Sequence, residues 1–176
     1  GKTTLLELIC RIYDPNNGKI LIDNHNIQNI NIEELRNSIG YVPQSTFLFS
    51  ETIERNIKFG KEKASKNEVE NAAMNACLSN DIGFFKNGYE TLLGERGVNL
   101  SGGQKQRLAI ARAIIKKPKI LIMDDSLSAV DTETEEKILS NINKISEDIT
   151  LIMATHRISS AKNCDKILVL ENGKVL

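Results

Sequence analysis

The sequence predicts an α/β fold built on a parallel sheet. Apolar segments at 39–42, 120–124 and 149–154 have the length of buried strands, and segments with helical spacing of apolar residues lie between them. From about 45 to 117 the pattern changes to helices alone. Because strands that alternate with helices at both ends of a chain are typical of a parallel sheet, we expect the helical middle to be a subdomain inserted into it.

The amino-terminal part contains two predicted helices and two predicted strands. Leucine and isoleucine recur at helical spacing after Gly1, and the turn-forming residues 14–18 end that helix. Residues 19–23 alternate between apolar and polar, which predicts a half-exposed strand, and residues 32–38 predict a short helix. The strand that follows ends at Pro43.

The remaining elements follow the same periodicities. Predicted helices of the middle part lie around Thr52–Lys58, Lys66–Leu78 and Ser101–Lys116. After Pro118 the sequence predicts a strand at 120–124, a helix at about 133–146, a strand at 149–154, a short helix near 158–162 and a strand at 166–171. Asn172-Gly173 predicts a hairpin that turns the chain into 174–176.

Composition argues against several classes of function. Lysine and arginine total 23, as do aspartate and glutamate, and we therefore expect no nucleic-acid partner, since such proteins usually carry a basic excess. The three cysteines form no Cys-x-x-Cys motif, which favours reduced thiols over a disulfide framework or a structural metal site. No apolar run approaches the roughly 18–20 residues that cross a bilayer.

The first four residues, Gly1-Lys2-Thr3-Thr4, open the first predicted helix. Helix amino termini present free backbone N–H groups and a partial positive charge, so phosphate binds there. Lys2 would add a full charge near the β- and γ-phosphates, and Thr3 a hydroxyl for Mg²⁺. The complete phosphate-loop pattern needs residues before Gly1, so an ordinary helix start remains an alternative, and we expect the sequence to be a fragment that begins within the loop.

A second motif, Leu-Ser-Gly-Gly-Gln at 100–104, also opens a helix. Ser101 and Gln104 have capping-box spacing. Gly102 and Gly103 weaken a helix, which is explained if bare backbone must lie close to a ligand such as phosphate. A tolerated Gly-Gly helix start is the alternative.

Two adjacent acids, Asp124 and Asp125, end a predicted buried strand. Like charges at such a point need a cation, and the carboxyl edge of an α/β sheet is where ligands bind. We expect Asp124 to hold Mg²⁺, directly or through water, and Asp125 to act as the general base that orients and deprotonates an attacking water. A capped turn would explain one of these acids but not both.

Two further polar residues follow predicted strands. His156 comes after the strand at 149–154, and this placement predicts a contact with the γ-phosphate in preference to a structural role. Gln44 follows the strand that ends at Pro43, where it could reach Mg²⁺ or its water, although alone it is a loop glutamine. His25 lies in a polar turn, and we assign it no functional role.

The order of these motifs resembles the nucleotide-binding domain of an ABC transporter. The motifs are Lys2-Thr3 (phosphate loop), Gln44 (Q-loop), 100–104 (signature), 120–125 (Walker B), 128–131 (D-loop) and His156 (H-loop). The resemblance implies a P-loop NTPase fold: a RecA-like parallel-sheet core that lacks its first strands. It further implies that 1–44 and 118–176 are the two parts of this core and that 45–117 is the helical subdomain with the signature motif.

Two stretches, 47–57 and 94–97, resemble exporters in particular. The resemblance implies an ATPase in which two such domains dimerise head to tail and sandwich ATP between one chain's phosphate loop and the other chain's signature. It also implies attached transmembrane domains and a location at the cytoplasmic face of the cell membrane. The ATP-binding residues that it implies are Gly1, Lys2, Thr3, Thr4, Ser101, Gly102, Gly103, Gln104 and Asp131.

The sequence departs from the family pattern in three places. The first strand, the aromatic residue that stacks on adenine and most of the phosphate loop are absent, so we expect the isolated chain to bind ATP poorly and to be inactive. Val130 stands where leucine is common. Asp125 stands where most relatives have glutamate, which withdraws the carboxylate by roughly 1 Å and predicts slow turnover at this chain's own site.

Aspartate at position 125 is compatible with two kinds of assembly, a heterodimer and a homodimer. The stretch around 124–135 resembles one half of the bacterial heterodimeric multidrug exporters, whose second chain would complete a competent site with this chain's signature. A homodimer with an adequate Asp base is the alternative. Two rival functions also stand beside the exporter: a soluble ABC-type ATPase without membrane domains, and a module that binds ATP to hold a dimer and hardly hydrolyses it.

Overall fold

The computed structural model of the protein describes residues 1–145, 149–162 and 164–176. Its first helix, α1, spans Lys2–Ile9 and is shorter than predicted. The helix stops because Arg11 takes a left-handed conformation, with φ of 52°, and its N–H donates to the carbonyl of Leu8. This arrangement satisfies carbonyls that a helix end otherwise leaves free. The predicted continuation of the helix to residue 13 is therefore wrong.

A small hairpin replaces the predicted strand at 19–23. Only Leu21–Ile22 form strand β1, which pairs antiparallel with β2, His25–Asn26. The turn between them uses left-handed backbone at Asp23 and Asn24, residue types that tolerate this conformation. The next two elements match the predictions: α2 spans Ile32–Ser38 and β3 spans Ile39–Val42.

The middle of the chain is helical, as predicted. Its helices are α3 (Ile53–Lys58), α4 (Lys66–Asn75), α5 (Ser79–Phe84) and α6 (Gly102–Ile114). Helix α5 was not predicted, because it contains Gly83, buries only Ile82 and has no side-chain cap. Helix α4 ends earlier than predicted, and Cys77 lies just beyond it in left-handed backbone.

The carboxyl-terminal part returns to alternating strands and helices. Its elements are β4 (Ile120–Asp124), α7 (Thr132–Ile145), β5 (Thr150–Ala154), α8 (Ile158–Ala161), β6 (Leu170–Glu171) and β7 (Lys174–Val175). Residue 146, the predicted end of α7, lies outside the described residues. The hairpin at Asn172-Gly173 is confirmed, since β6 and β7 pair antiparallel around it.

The predicted strand at 166–171 is wrong over its first four residues. A strand needs a hydrogen-bonded neighbour, and no strand elsewhere in the described part of the chain pairs with 166–169. Three apolar side chains in this stretch are consequently more than half exposed: Ile167, Leu168 and Val169.

The three longer strands form one parallel sheet in the order β3-β4-β5, with β4 in the middle. Because side chains alternate along a strand, β4 contributes to a core on each face. Leu121 and Met123 belong to the core that also contains residues of α3, α4 and α6, whereas Ile122 packs with residues of α1 and α2. Within the described ranges, no helix is both long enough and apolar enough to cross a bilayer.

A buried asparagine joins the loop after β3 to helix α6. Asn56 has no exposed surface, and its amide nitrogen donates to the carbonyls of Phe49, Glu51 and Thr52 at 3.0–3.3 Å. Its side-chain oxygen accepts the N–H of Phe49 at 3.0 Å and the guanidinium of Arg112 at 2.8 Å. Burial of that guanidinium lowers the pKa of Arg112 to about 10.

We predict that Asn56→Ala lowers the free energy of unfolding by about 2–4 kcal/mol, because it leaves several buried polar groups without partners. Asn71→Ala in α4 is the matched control, since Asn71 is exposed and alanine favours a helix. Urea unfolding of the purified protein, followed by circular dichroism, would measure both changes. Equal effects of the two substitutions would contradict the role of Asn56.

Candidate functional site

The predicted polar residues follow three adjacent parallel strands. Gln44 lies two residues beyond β3, Asp124 ends β4, and His156 lies two residues beyond β5. Asp124 is in register with Ala154, so the three strands end at the same edge of the sheet. The convergence inferred from the sequence follows from this parallel register.

Helix α1 brings a fourth residue to this edge. The helix packs against β4, and the Lys2 ammonium lies 3.1 Å from Nε2 and 3.4 Å from Nδ1 of His156, to which it can donate. Gly1 is the N-cap residue, and among the described residues this helix start has no side-chain cap. Thr3 and Thr4 are exposed in that turn. The helix amino terminus therefore keeps donors available to an anion.

The carboxylate of Asp124 is buried, with 2% of the residue exposed. Its Oδ2 has no hydrogen-bond partner among the described residues. Burial, followed by the charge of Asp124, raises the pKa of Tyr41 to about 12. A buried acid with a free oxygen is costly unless a cation lies next to it, and carboxylate oxygen is a ligand type that Mg²⁺ prefers. The residue therefore fits the predicted metal ligand.

Asp125 changes the direction of the chain after β4. Its φ is 44°, in the left-handed region, and its N–H donates to the carbonyl of Ala154 at 2.9 Å. Aspartate tolerates this conformation better than most residues do. The strand thus ends in a sharp turn, and Asp125 is less buried than Asp124.

The predicted capping box at the start of α6 is confirmed. The Ser101 hydroxyl accepts the N–H of Gln104 at 3.2 Å, and the Gln104 side-chain oxygen accepts the N–H of Ser101 at 2.9 Å. The amide nitrogen of Gln104 donates to Asp81 of α5, which also pairs with Arg107 at 2.8 Å. All polar atoms of the Gln104 side chain therefore contact this chain itself.

The glycines of the signature motif pack against the segment 128–131, which we call the D-loop. A Cβ atom on Gly103 would lie 2.9 Å from the carbonyl oxygen of Ala129, and one on Gly102 would lie 3.3 Å from the Ala129 Cβ. Both distances are shorter than ordinary contacts, so larger residues would displace the D-loop. Packing against Ala129 within the same chain therefore explains Gly102 and Gly103, which the sequence analysis attributed to the approach of a ligand.

The predicted site residues form two groups. Lys2, Asp124, His156 and Gln44 belong to the sheet edge, whereas the signature packs against the D-loop, whose last residue is Asp131. Asp131 is exposed, and its carboxylate accepts the N–H of Thr134 at 2.9 Å, which lowers its pKa. Within the described ranges, no hydrogen bond or ion pair joins the signature to Lys2, Asp124 or His156.

Sequence reasoning missed Gln106 and Arg157, which contact the D-loop. Gln106 is 7% exposed on a helix face that is otherwise apolar, a signal that its side chain must have internal partners. Arg157 directly follows His156, but a single arginine after a strand gives no such signal in the sequence. His25, to which we assigned no role, donates a hydrogen bond from Nδ1 to the backbone oxygen of Asp23 in the small hairpin.

Comparison with known proteins gives one family. The family model described as ABC transporter matches residues 1–128. An uncharacterized ABC transporter ATP-binding protein, YfiB of Bacillus subtilis, is 51% identical over all 176 residues, which cover 30% of that protein. The putative multidrug export ATP-binding/permease protein YgaD of Bacillus subtilis is 47% identical over the same residues, again 30% of its length.

A solved structure gives the same result. The structure of a bacterial Atm1-family ABC exporter with ATP bound aligns with a TM-score of 0.96 and 44% identity, covering 99% of this chain and 31% of that one. The chain therefore spans less than a third of the length of the relatives described above.

We predict that Asp124→Asn stabilises the nucleotide-free protein by about 1–3 kcal/mol, because it removes a buried charge whose Oδ2 has no hydrogen-bond partner among the described residues. The same change should abolish any further stabilisation by Mg²⁺ together with ATP. Thermal unfolding of the intact parent protein, with and without Mg²⁺-ATP, measures both effects. Asp14→Asn, at an exposed carboxylate that pairs with Arg11, is the control and should change neither. A destabilised variant that still responds to Mg²⁺-ATP would contradict the assignment.

Proposed function

This chain belongs to the ABC transporter family, and from that premise we propose that it is the ATP-binding and ATP-hydrolysing domain of an ABC exporter. The observation that carries the proposal is the meeting of Lys2, Asp124 and His156 at one edge of the sheet. An ammonium, a buried carboxylate and an imidazole at the start of an uncapped helix form a site suited to a triphosphate and its cation.

The sheet-edge residues would act on the terminal phosphate. Lys2 and the N–H groups of α1 would bind phosphate oxygens, and His156 would hold the γ-phosphate. Thr3, Gln44 and Asp124 would hold Mg²⁺, which when bound neutralises charge on the β- and γ-phosphates. Asp125 would orient the attacking water and accept its proton.

The second group of residues would serve another copy of the site. Since the signature and Asp131 form no hydrogen bond or ion pair with Lys2 or His156 in the described part of this chain, we propose that they complete the site of a partner domain. The ATP-binding set Gly1–Thr4, Ser101–Gln104 and Asp131 is thus divided between two composite sites in a head-to-tail pair. Binding of ATP would close this pair and hydrolysis would reopen it.

The relatives support an assembly with membrane domains. Their names describe ATP-binding/permease and exporter proteins, and this chain aligns with less than a third of each. We propose that transmembrane domains accompany the chain and hold it at the cytoplasmic face of the membrane. Within the chain, 1–44 and 118–176 would form the ATP-binding core, and 45–117 the subdomain that carries the signature.

Asp125 supports a second candidate, a nucleotide-binding module whose own site hardly turns over. The shorter side chain places its carboxylate farther from an attacking water than glutamate would. Single-turnover hydrolysis by the assembled pair, with the acid of each chain mutated separately, distinguishes the candidates. Loss of hydrolysis only when the partner's acid is changed would favour the module.

We predict that Asp125→Glu in the full-length pair raises steady-state ATPase activity by about tenfold or more, because the carboxylate regains the reach that water activation needs. The same change should slightly lower the melting temperature, since glutamate tolerates the left-handed backbone at this position less well than aspartate. Phosphate release and thermal unfolding measure the two effects.

Asp14→Glu is the matched control for added length at an exposed position, and it should change neither quantity. Activity that stays constant or falls in the Asp125 variant would contradict the slow-site hypothesis.

A further inference from the structure

The D-loop, residues 128–131, is held by this chain at each of its four residues. Ser128 is bound through its backbone oxygen and its hydroxyl, Ala129 through its N–H, and Val130 through its carbonyl. Asp131 is fixed by the N–H that its carboxylate accepts. A turn whose residues are exposed at 128, 129 and 131 is therefore more constrained than its surface position suggests.

Some of the hydrogen bonds to the D-loop come from Arg157, the residue after His156. Its guanidinium donates to the carbonyl of Ser128 at 2.6 Å and to that of Val130 at 2.9 Å. It also pairs at 2.6 Å with Glu135 of α7, whose side chain is 2% exposed. A buried carboxylate needs this positive partner, and the planar fork of arginine is suited to bind several oxygens at once.

The other contacts to the D-loop come from α6. Gln106 accepts the N–H of Ala129 at 2.9 Å and donates to the Ser128 hydroxyl at 3.1 Å. Gly103 lies against the carbonyl of Ala129, so closely that a Cβ atom would not fit. The start of α6, which carries the signature, is consequently joined to the same tetrapeptide that Arg157 binds.

We propose that Arg157 is a positioning residue that joins His156 to the signature through the D-loop. This inference rests on the proposed function, in which His156 acts at this chain's own ATP site and the signature completes the partner's site. A displacement of His156 carries Arg157 with it, because the two are adjacent. Arg157 in turn holds the D-loop, which is hydrogen-bonded to Gln106 and packed against Gly103, so the position of the signature depends on the residue next to His156.

The experiment uses the assembled full-length pair, with Lys2→Ala in this chain so that only the partner's phosphate site remains active. Arg157→Lys is then added to the same chain. Lysine retains a charge for Glu135 but lacks the fork that binds two carbonyls as well. We expect the single-turnover rate at the remaining site to fall about tenfold or more, while the ATP concentration at half saturation changes less than about threefold.

Arg11→Lys, added to Lys2→Ala in the same way, is the matched control. Arg11 also donates to two backbone carbonyls, those of Ile27 and Ile30, and pairs with an acid, Asp14. It lies outside the D-loop contacts, and we expect a rate within about twofold of the Lys2→Ala pair. Equal losses from the two arginine variants, or no loss from Arg157→Lys, would overturn the proposal.

Gln106→Leu provides a second route to the same answer if Arg157→Lys does not fold. It removes both α6 hydrogen bonds to the D-loop without touching Arg157 or Glu135. A similar loss of rate supports the proposal, and an unchanged rate overturns it. Where both variants fold, their combined effect should be smaller than the product of the single effects, because both act through one loop.

Hydrogen exchange separates this proposal from the proposed function. Faster exchange of the amides of 128–131 in Arg157→Lys, but not in Arg11→Lys, supports the D-loop contacts even if the intact pair fails to hydrolyse ATP. Failure of the intact pair to hydrolyse ATP would contradict the proposed function alone. Unchanged exchange in Arg157→Lys would overturn the positioning role.

Discussion

The buried carboxylate of Asp124 is the constraint on which the surrounding structure depends. A buried carboxylate oxygen with no hydrogen-bond partner, which is the state of Asp124 Oδ2 among the described residues, costs several kcal/mol at the end of the central strand unless a cation lies next to it. The central strand is buried on both faces, so its carboxyl end is the point at which a buried polar group can meet a ligand. Helix α1 begins beside this point and contributes the ammonium of Lys2.

The second constraint is the close contact between the signature helix and the turn after β4. Gly102 and Gly103 leave room for Ala129, and the turn is held between Gln106 and Arg157. Residues that would serve two different ATP molecules are therefore parts of one packed unit within one chain. In a head-to-tail pair, a movement at one ATP site would therefore also move residues that belong to the other site.

Most of the sheet and the sheet-edge residues were predictable from the sequence, because each long strand is a local apolar run that ends in a polar residue. The capping box at Ser101 was predictable for the same reason, since its spacing is local. The strand at 166–169 was not, because an apolar run also needs a hydrogen-bonded neighbour, and sequence pattern carries no information on pairing. Arg157 and Gln106 were missed because most of their D-loop partners are backbone groups 23–29 residues away, and the residue types in a sequence do not reveal which backbone groups a side chain will bind.

The hydrogen bonds of Arg112 join helix α6, which begins at the signature, to the segment that follows Gln44. Near the carboxyl end of the helix, its guanidinium holds Phe47 and Asn56 of the loop and helix that follow Gln44. Gly102, at the other end of the helix, lies ten residues away, about 15 Å along the axis. Because the hydrogen-bonded helix is stiff and two of the three Arg112 hydrogen bonds are partly buried, a displacement of that loop would move the signature together with the helix as one rigid body.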